Sequence, residues 1–199
     1  MTGNIPARDQ LRRLLRRQRR TLPALAREQA ARQVARHTDA MLHLRHGWRI
    51  GLYASLREEL DTAPLMELAR QRGCRIYLPV ISRQHASRRM SFVEMSARHR
   101  FNRLGIAEPQ GSPLPSVRAL DIVFVPLVGF DARGVRLGMG GGYYDRAFAF
   151  RRIRTVWHAP RLVGLAYAFQ QLPAIERARH DVLLDMVVTE QGVIRCTTG

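Results

Sequence analysis

The 199-residue chain has no lysine; all 33 of its basic residues are arginine. This excludes a Schiff-base lysine, a P-loop lysine and a lysine nucleophile, leaving the α-amino group as the one amine. Cysteine is almost as scarce. Cys74 and Cys196 are too few for a disulfide framework or a cysteine-based zinc site. Aromatic residues make up 7% of the chain and no RRM or KH signature occurs, which argues against a surface that reads RNA by stacking. No apolar run approaches the length needed to span a bilayer, and the arginine-rich N-terminus lacks the apolar core of a secretory signal. A cytoplasmic address with no membrane partner is therefore expected.

Acid is also in short supply, at 16 residues, so the formal charge is +17. By itself that charge suggests a polyanion partner. The arginines, however, are spread along the whole chain. Complete replacement of lysine reads as a compositional bias and not as a binding face. The expectation is no specific nucleic-acid partner, only the weak, non-specific electrostatic contact that dispersed positive charge allows. An apolar content of 46% is enough for a buried core, and the length suits one α/β domain over residues 1–199 better than two.

The hydrophobic pattern begins with a helical N-terminal arm, where Leu11, Leu14 and Leu15 form a stripe at helical spacing. Arg8 and Arg12 lie one turn apart on this helix and share a face. Thr21-Leu-Pro23 breaks the pattern, and a second helix rich in Ala, Arg and Gln is expected to about Leu44. Strands and helices then alternate. Strands are expected over 49–54, 75–80, 122–128, 161–167 and 185–189, an antiparallel or edge strand over 90–95, and a final one over 192–195. Thr62 is expected to cap a helix running through Gln71, with Pro64 in its first turn and Gly73 as its stop. Residues 96–119 read mostly as loop, and a helix is expected from Asp145 to about Arg152. The order implies a three-layer α/β fold: a mostly parallel sheet with helices on both faces and an N-terminal helical arm.

The densest chemistry lies in Arg136-Leu-Gly-Met-Gly-Gly-Gly-Tyr-Tyr-Asp-Arg146, where Gly138, Gly140, Gly141 and Gly142 give four glycines in five residues. Glycine lets the backbone take positive φ and lets a ligand approach the amides closely. A Gly-rich turn leading into a helix aims N–H groups at an anion, so the segment reads as a phosphate cradle. It is neither of two familiar phosphate motifs. Walker A needs Lys-Ser or Lys-Thr after its last glycine, where this chain has Tyr143-Tyr144, and a G-x-G-x-x-G fingerprint from Gly138 meets Tyr143 at its last position. Asp145 is placed either to hold a divalent cation or to cap the helix that follows.

This segment, with its lead-in Pro126-Leu-Val-Gly-Phe-Asp-Ala-Arg-Gly134, closely resembles the signature of the 5-formyltetrahydrofolate cyclo-ligases, also called methenyltetrahydrofolate synthetases. Weaker likenesses follow in the family's order: Arg8-x-x-Leu-Arg12, the segment from Tyr53 to Thr62, Gly105-Ile-Ala-Glu-Pro109, His180-Asp181, and Asp185 to Glu190. The resemblance implies ATP-driven closure of 5-formyltetrahydrofolate to 5,10-methenyltetrahydrofolate, with Mg²⁺ as cofactor and ADP and phosphate released. No covalent nucleophile is needed, in keeping with a chain that has no lysine and no obvious nucleophile elbow.

The resemblance also implies roles. Arg8, Arg12, Arg136, Leu137, Gly138, Met139, Gly140, Gly141, Gly142, Tyr143 and Tyr144 would contact ATP. Ala54, Glu59, Met139, Gly140, Gly141, Gly142 and Tyr143 would contact the folate, Glu59 accepting paired N–H bonds from the pterin edge. Asp145 and Asp181 would hold Mg²⁺, with Asp185 in reserve. Plainer readings stand beside these: a solvated basic face for Arg8 and Arg12, a surface acid for Glu59, an exposed turn acid for Asp181, and a core position for one of the two tyrosines. His180 is expected to be structural. Arg8 stands where the family usually has lysine, and Met139 where it commonly has an aromatic or basic residue. Another ATP- or sugar-phosphate-dependent enzyme on a related fold is the enzymatic alternative, and an arginine-rich RNA-binding protein the non-enzymatic one.

Overall fold

A computed structural model of the chain describes residues 7–81, 89–96, 99–101, 107–153 and 159–197. Two helices open it, α1 (Arg8–Thr21) and α2 (Ala24–Leu42), with Pro23 at the break between them. Then follow β1 (Arg49–Gly51), α3 (Ala63–Gln71), β2 (Arg75–Ile81) and β3 (Met90–Glu94). A small hairpin of β4 (His99–Phe101) and β5 (Ala107–Pro109) precedes β6 (Ile122–Pro126). A second short hairpin joins β7 (Gly129–Phe130) to β8 (Arg136–Leu137) and leads into α4 (Tyr143–Ala147). The chain ends with β9 (Arg161–Leu165), β10 (Met186–Thr189) and β11 (Gly192–Arg195).

The main sheet has seven strands in the order β11-β10-β9-β6-β1-β2-β3. The five inner strands are parallel, and both edge strands pair antiparallel. Strand side chains alternate between two cores, as the two-residue period requires. Ile122 and Phe124 join Val34, Leu65 and Ala69 of α2 and α3 on one face, while Val123 and Val125 join Phe148, Val182 and Leu184 on the other. The arm is docked. Leu11 and Leu15 of α1 are buried against Val128, Val135 and Leu137. Leu14, the third leucine of the stripe, is 53% exposed.

Several boundaries move for identifiable reasons. β1 ends at Gly51 and not at residue 54, because the chain leaves the ladder after Leu52 donates to the Tyr77 carbonyl. The Tyr53 carbonyl instead accepts from the Thr62 hydroxyl at 2.7 Å. Thr62 thus stands at the start of α3, but its side chain does not cap the helix. Asp61 Oδ1 accepts from the Ala63 amide there, at 3.0 Å. The helix expected from Asp145 to Arg152 starts earlier, at Tyr143, and after Ala147 tightens into a 3₁₀ turn (Ala149–Arg152). Of the stretch read as loop over 96–119, residues 97–98 and 102–106 lie outside the described residues, and the rest includes the β4–β5 hairpin.

The sheet order places the site. From β1 the chain steps outward to β2, but β6 falls on the other side of β1 and leads on to β9 and β10. The carboxyl ends of β1 and β6 therefore flank a topological switch point, where open α/β sheets leave a crevice for ligands.

Candidate active site

At that switch point lies a cavity of about 220 Å³. One wall comes from the loop after β1, with Tyr53, Ala54, Leu56 and Glu59. The opposite wall is the Gly-rich segment, contributing Gly138, Met139, Gly141, Gly142, Tyr143, Tyr144, Asp145 and Arg136. The floor is apolar, from Leu78, Pro79 and Ile81 of β2, Met90 of β3 and Pro126 of β6.

The geometry of the Gly-rich loop follows from its hydrogen bonds. Its carbonyls are turned outward to arginine: Arg12 Nε donates to Gly138 O at 2.8 Å and Arg146 Nη2 to Gly141 O at 2.7 Å. None of the amides of residues 138–142 donates a hydrogen bond to a described residue. Gly140 at φ +95° and Gly142 at φ +62° provide the left-handed conformations this turn needs. The result is a run of open N–H groups beside a cavity, suited to an anion. The following helix is only five residues long, so its dipole contributes little, and the capacity of this segment to hold an anion rests on the loop amides.

Two arginine–carboxylate pairs brace this loop. Arg136 Nη2 meets Asp145 Oδ1 at 2.6 Å, so the residues on either side of the loop are tied to each other. Asp145 Oδ1 also accepts from the Val182 amide at 3.1 Å, and Arg136 donates to the Val182 carbonyl. Arg8 Nη1 meets Asp181 Oδ2 at 3.0 Å, and its Nη2 donates to the Arg136 carbonyl at 3.1 Å. Asp145 is not a helix cap: Gly142 occupies that position, and the Asp145 carboxylate faces Arg136. Arg136 is only 5% exposed and committed to Asp145 and Val182, which leaves it less free for a ligand than its sequence position suggested.

On the facing wall, Glu59 Oε2 accepts the Leu56 amide at 3.0 Å. Burial pushes its carboxyl above the ordinary range, and the Leu56 amide and the Arg19 charge pull it partly back. Burial, reinforced by Glu59, also pushes the Tyr144 and Tyr53 hydroxyls up, so both stay protonated and able to donate. Tyr144 stacks on Phe148 at 6.3 Å between ring centroids, while Tyr143 lies under the Arg146 guanidinium at 5.2 Å.

The cavity gathers Ala54, Glu59, Arg136, Gly138, Met139 and residues 141–145 of the sequence-derived set. Gly140 does not line the cavity itself but sits between residues that do, and a Cβ there would meet nothing within 4 Å. Leu137 is fully buried in the α1 core and does not face the cavity. Arg8, Arg12 and Asp181 stand behind the loop, joined to it through hydrogen bonds. Asp185 is taken up elsewhere, by Arg151 at 2.6 Å and the Leu162 amide at 2.6 Å. His180 has an exposed side chain. The apolar floor was missed because Leu78, Ile81 and Met90 look like ordinary strand residues. Pro79 and Pro126, each near the carboxyl end of a parallel strand, were the one available hint.

No group of three or more His, Cys, Asp or Glu side chains able to hold a metal ion occurs among the described residues. Asp145 does keep one oxygen, Oδ2, without a hydrogen bond to a described residue, and it lines the cavity. That donor set fits Mg²⁺, which is commonly held by one or two carboxylates with substrate phosphates and water. Asp181 fits less well: its Oδ2 is shared by Arg8 and the Ala178 amide, as Asp145 Oδ1 is by Arg136 and Val182, but unlike Asp145 it does not line the cavity.

The sequence pattern of the 5-formyltetrahydrofolate cyclo-ligase family matches residues 4–190. The chain belongs to this family. A cyclo-ligase of this name from Haemophilus influenzae is 35% identical over 93% of the chain and 99% of its own length. One from Escherichia coli K12 is 32% identical over 90% of the chain and 98% of its own. Among solved structures, the NMR structure of the 5,10-methenyltetrahydrofolate synthetase from Aquifex aeolicus superposes with a TM-score of 0.78 at 27% identity, covering 96% of this chain and 94% of that one. A synthetase from Mycoplasma pneumoniae has the same fold, with a TM-score of 0.71 at 21% identity. Cyclo-ligase membership thus rests on nearly the whole chain, and the mostly parallel seven-stranded sheet is the cyclo-ligase fold.

Proposed function

We propose that the chain, as a single ATP- and folate-binding domain, closes 5-formyltetrahydrofolate to 5,10-methenyltetrahydrofolate at the expense of ATP, releasing ADP and phosphate. The observation that carries this reading is one cavity with open loop amides on one wall and a half-buried carboxyl group, Glu59, on the other.

The chemical difficulty is the formyl oxygen, which is amide-like and leaves poorly. Transfer of the γ-phosphoryl group to that oxygen makes it a leaving group; N10 then attacks the formyl carbon and phosphate departs. Such a transfer depends on alignment and charge neutralisation more than on a protein nucleophile. The amides of residues 138–142 would receive the phosphates. Arg12 and Arg146 hold the loop carbonyls away from them. Glu59 would accept N–H bonds from the aminopyrimidine edge of the pterin, and the apolar floor would exclude water from the reacting atoms. Tyr143 or Tyr144 would pack against a ring. Asp145 would hold Mg²⁺ through Oδ2, with Asp181 adjacent through the Val182 amide. When bound, that ion neutralises phosphate charge.

The proposed partners are these two small molecules. No helix among the described residues is long and apolar enough to cross a membrane. A cytoplasmic setting and no more than weak, salt-sensitive contact with nucleic acid complete the reading. The test is incubation of the purified protein with ATP, Mg²⁺ and 5-formyltetrahydrofolate. Methenyl absorbance should appear only with all three, with ADP formed in equal amount. Product without ATP, or no product from folded protein under any condition, would overturn the proposal.

A further inference from the structure

The arginines of α1 are not a free basic face. Arg8, Arg12, Arg16 and Arg20 recur every fourth residue, so they form one stripe along the helix. Every one of them has a protein partner. At the N-terminal end Arg8 holds Asp181 and the Arg136 carbonyl, and Arg12 holds the Gly138 carbonyl. At the other end Arg16 and Arg20 both meet Glu58, at 3.5 Å and 2.6 Å. Glu58 adjoins Glu59 on the facing wall of the cavity. The stripe from Arg8 to Arg20 spans about 18 Å at the helical rise of about 1.5 Å per residue.

The helix that carries the stripe is fixed from beneath. Leu11 and Leu15 are buried, and Arg19, 2% exposed, donates to the Leu127 carbonyl at 3.3 Å. The same Glu58 loop is held a second time from α2, by Arg27 donating to the Arg57 carbonyl at 2.8 Å and to the Arg19 carbonyl at 3.0 Å. One rigid element thus touches both walls of the cavity.

We infer that α1 is a strut coupling the two walls, with Glu58 as the positioning residue through which the helix sets the Glu59 loop. The inference rests on the proposed function, in which one wall takes ATP and the other the folate. A ligand that orders the Gly-rich loop fixes α1 through Arg8 and Arg12. A fixed α1 holds Glu58, and the Glu59 loop is then ordered before the second ligand arrives. Each ligand should therefore strengthen the binding of the other by the same factor.

The test measures binding of 5-formyltetrahydrofolate with and without a non-hydrolysable ATP analogue and Mg²⁺, and the analogue with and without the folate. Wild-type protein should show reciprocal strengthening of about fivefold or more, the usual scale of such coupling. Glu58→Gln and the Arg16→Gln/Arg20→Gln pair should bring the factor close to one and leave affinity for the analogue alone unchanged. Arg16→Lys/Arg20→Lys keeps the charge and should restore most of the coupling. Arg20→Gln alone alters a side chain that is 59% exposed, so it tests the idea without threatening the fold. Loss of coupling in the Gln variants with rescue by Lys would support the strut. Wild-type protein that binds both ligands independently, or Gln variants that couple like wild type, would overturn it. Protein that is folded but binds neither ligand would overturn the proposed function, and the strut with it.

Discussion

Replacing Asp145 by Asn separates two tasks that the structure gives to one carboxylate. Oδ1 binds Arg136 at 2.6 Å and the Val182 amide at 3.1 Å, while Oδ2 has no hydrogen bond to a described residue. Asn keeps the shape and an acceptor for the amide but removes the charge facing a guanidinium that is 5% exposed. Breaking a buried ion pair by removing one partner costs about 3–5 kcal/mol. The Asp145 side chain is 20% exposed, and Arg136 retains the Val182 carbonyl, so this site falls below that range. The expected loss is about 1.5–3 kcal/mol. For a chain of this size that lowers Tm by about 3–12 °C. Urea unfolding followed by circular dichroism gives the stability, and Arg136→Met, alone and combined with Asp145→Asn, closes a double-mutant cycle with an interaction of about 1–3 kcal/mol. In parallel, the Asn variant should need more Mg²⁺ for turnover. A variant within about 0.5 kcal/mol of wild type would refute the bracing role of the Arg136–Asp145 pair. An unchanged Mg²⁺ requirement would leave Asp145 purely structural.

Two other outcomes follow from the two cavity walls. Gly140→Val places a β-branched residue at φ +95°, with free space around it, so the protein should fold with a loss of about 1–3 kcal/mol while ATP affinity falls at least about tenfold; wild-type ATP affinity in the folded variant would show that the loop is not the cradle. For Glu59, burial raises the carboxyl above 4.5, favouring the neutral form in the folded protein, so its contribution to stability is present below that value and lost as pH rises through the raised one. Folate binding needs the ionised form and runs the opposite way: affinity should fall on acidification at a higher pH than an ordinary glutamate would give. Glu59→Gln should abolish that step and weaken binding by about tenfold or more; a pH profile matching wild type would assign the step elsewhere.

Much of this protein is local in origin and so was legible in its sequence. The helical stripe of α1, the β-α-β order and the apolar run of β6 are periodicities a chain carries without its neighbours. The Gly-rich segment announces its backbone requirements by composition, since few other residues tolerate what Gly140 and Gly142 do. The lack of lysine and the scarcity of cysteine removed whole classes of chemistry before any fold was known. What the sequence left open was the choice among partners. Arg8 and Arg12 read either as ATP contacts or as a solvated basic face, and Asp145 as a cap or a ligand. Their partners stand up to 173 residues away, as Asp181 does from Arg8. The packing of α1 against the β7–β8 hairpin brings Arg8 and Arg12 to theirs. The cavity floor was invisible for a related reason: a side chain at the end of a buried strand looks like core until the strand order puts a switch point beyond it. Pairing between residues distant in the chain is set by how whole elements dock, and no local pattern encodes that.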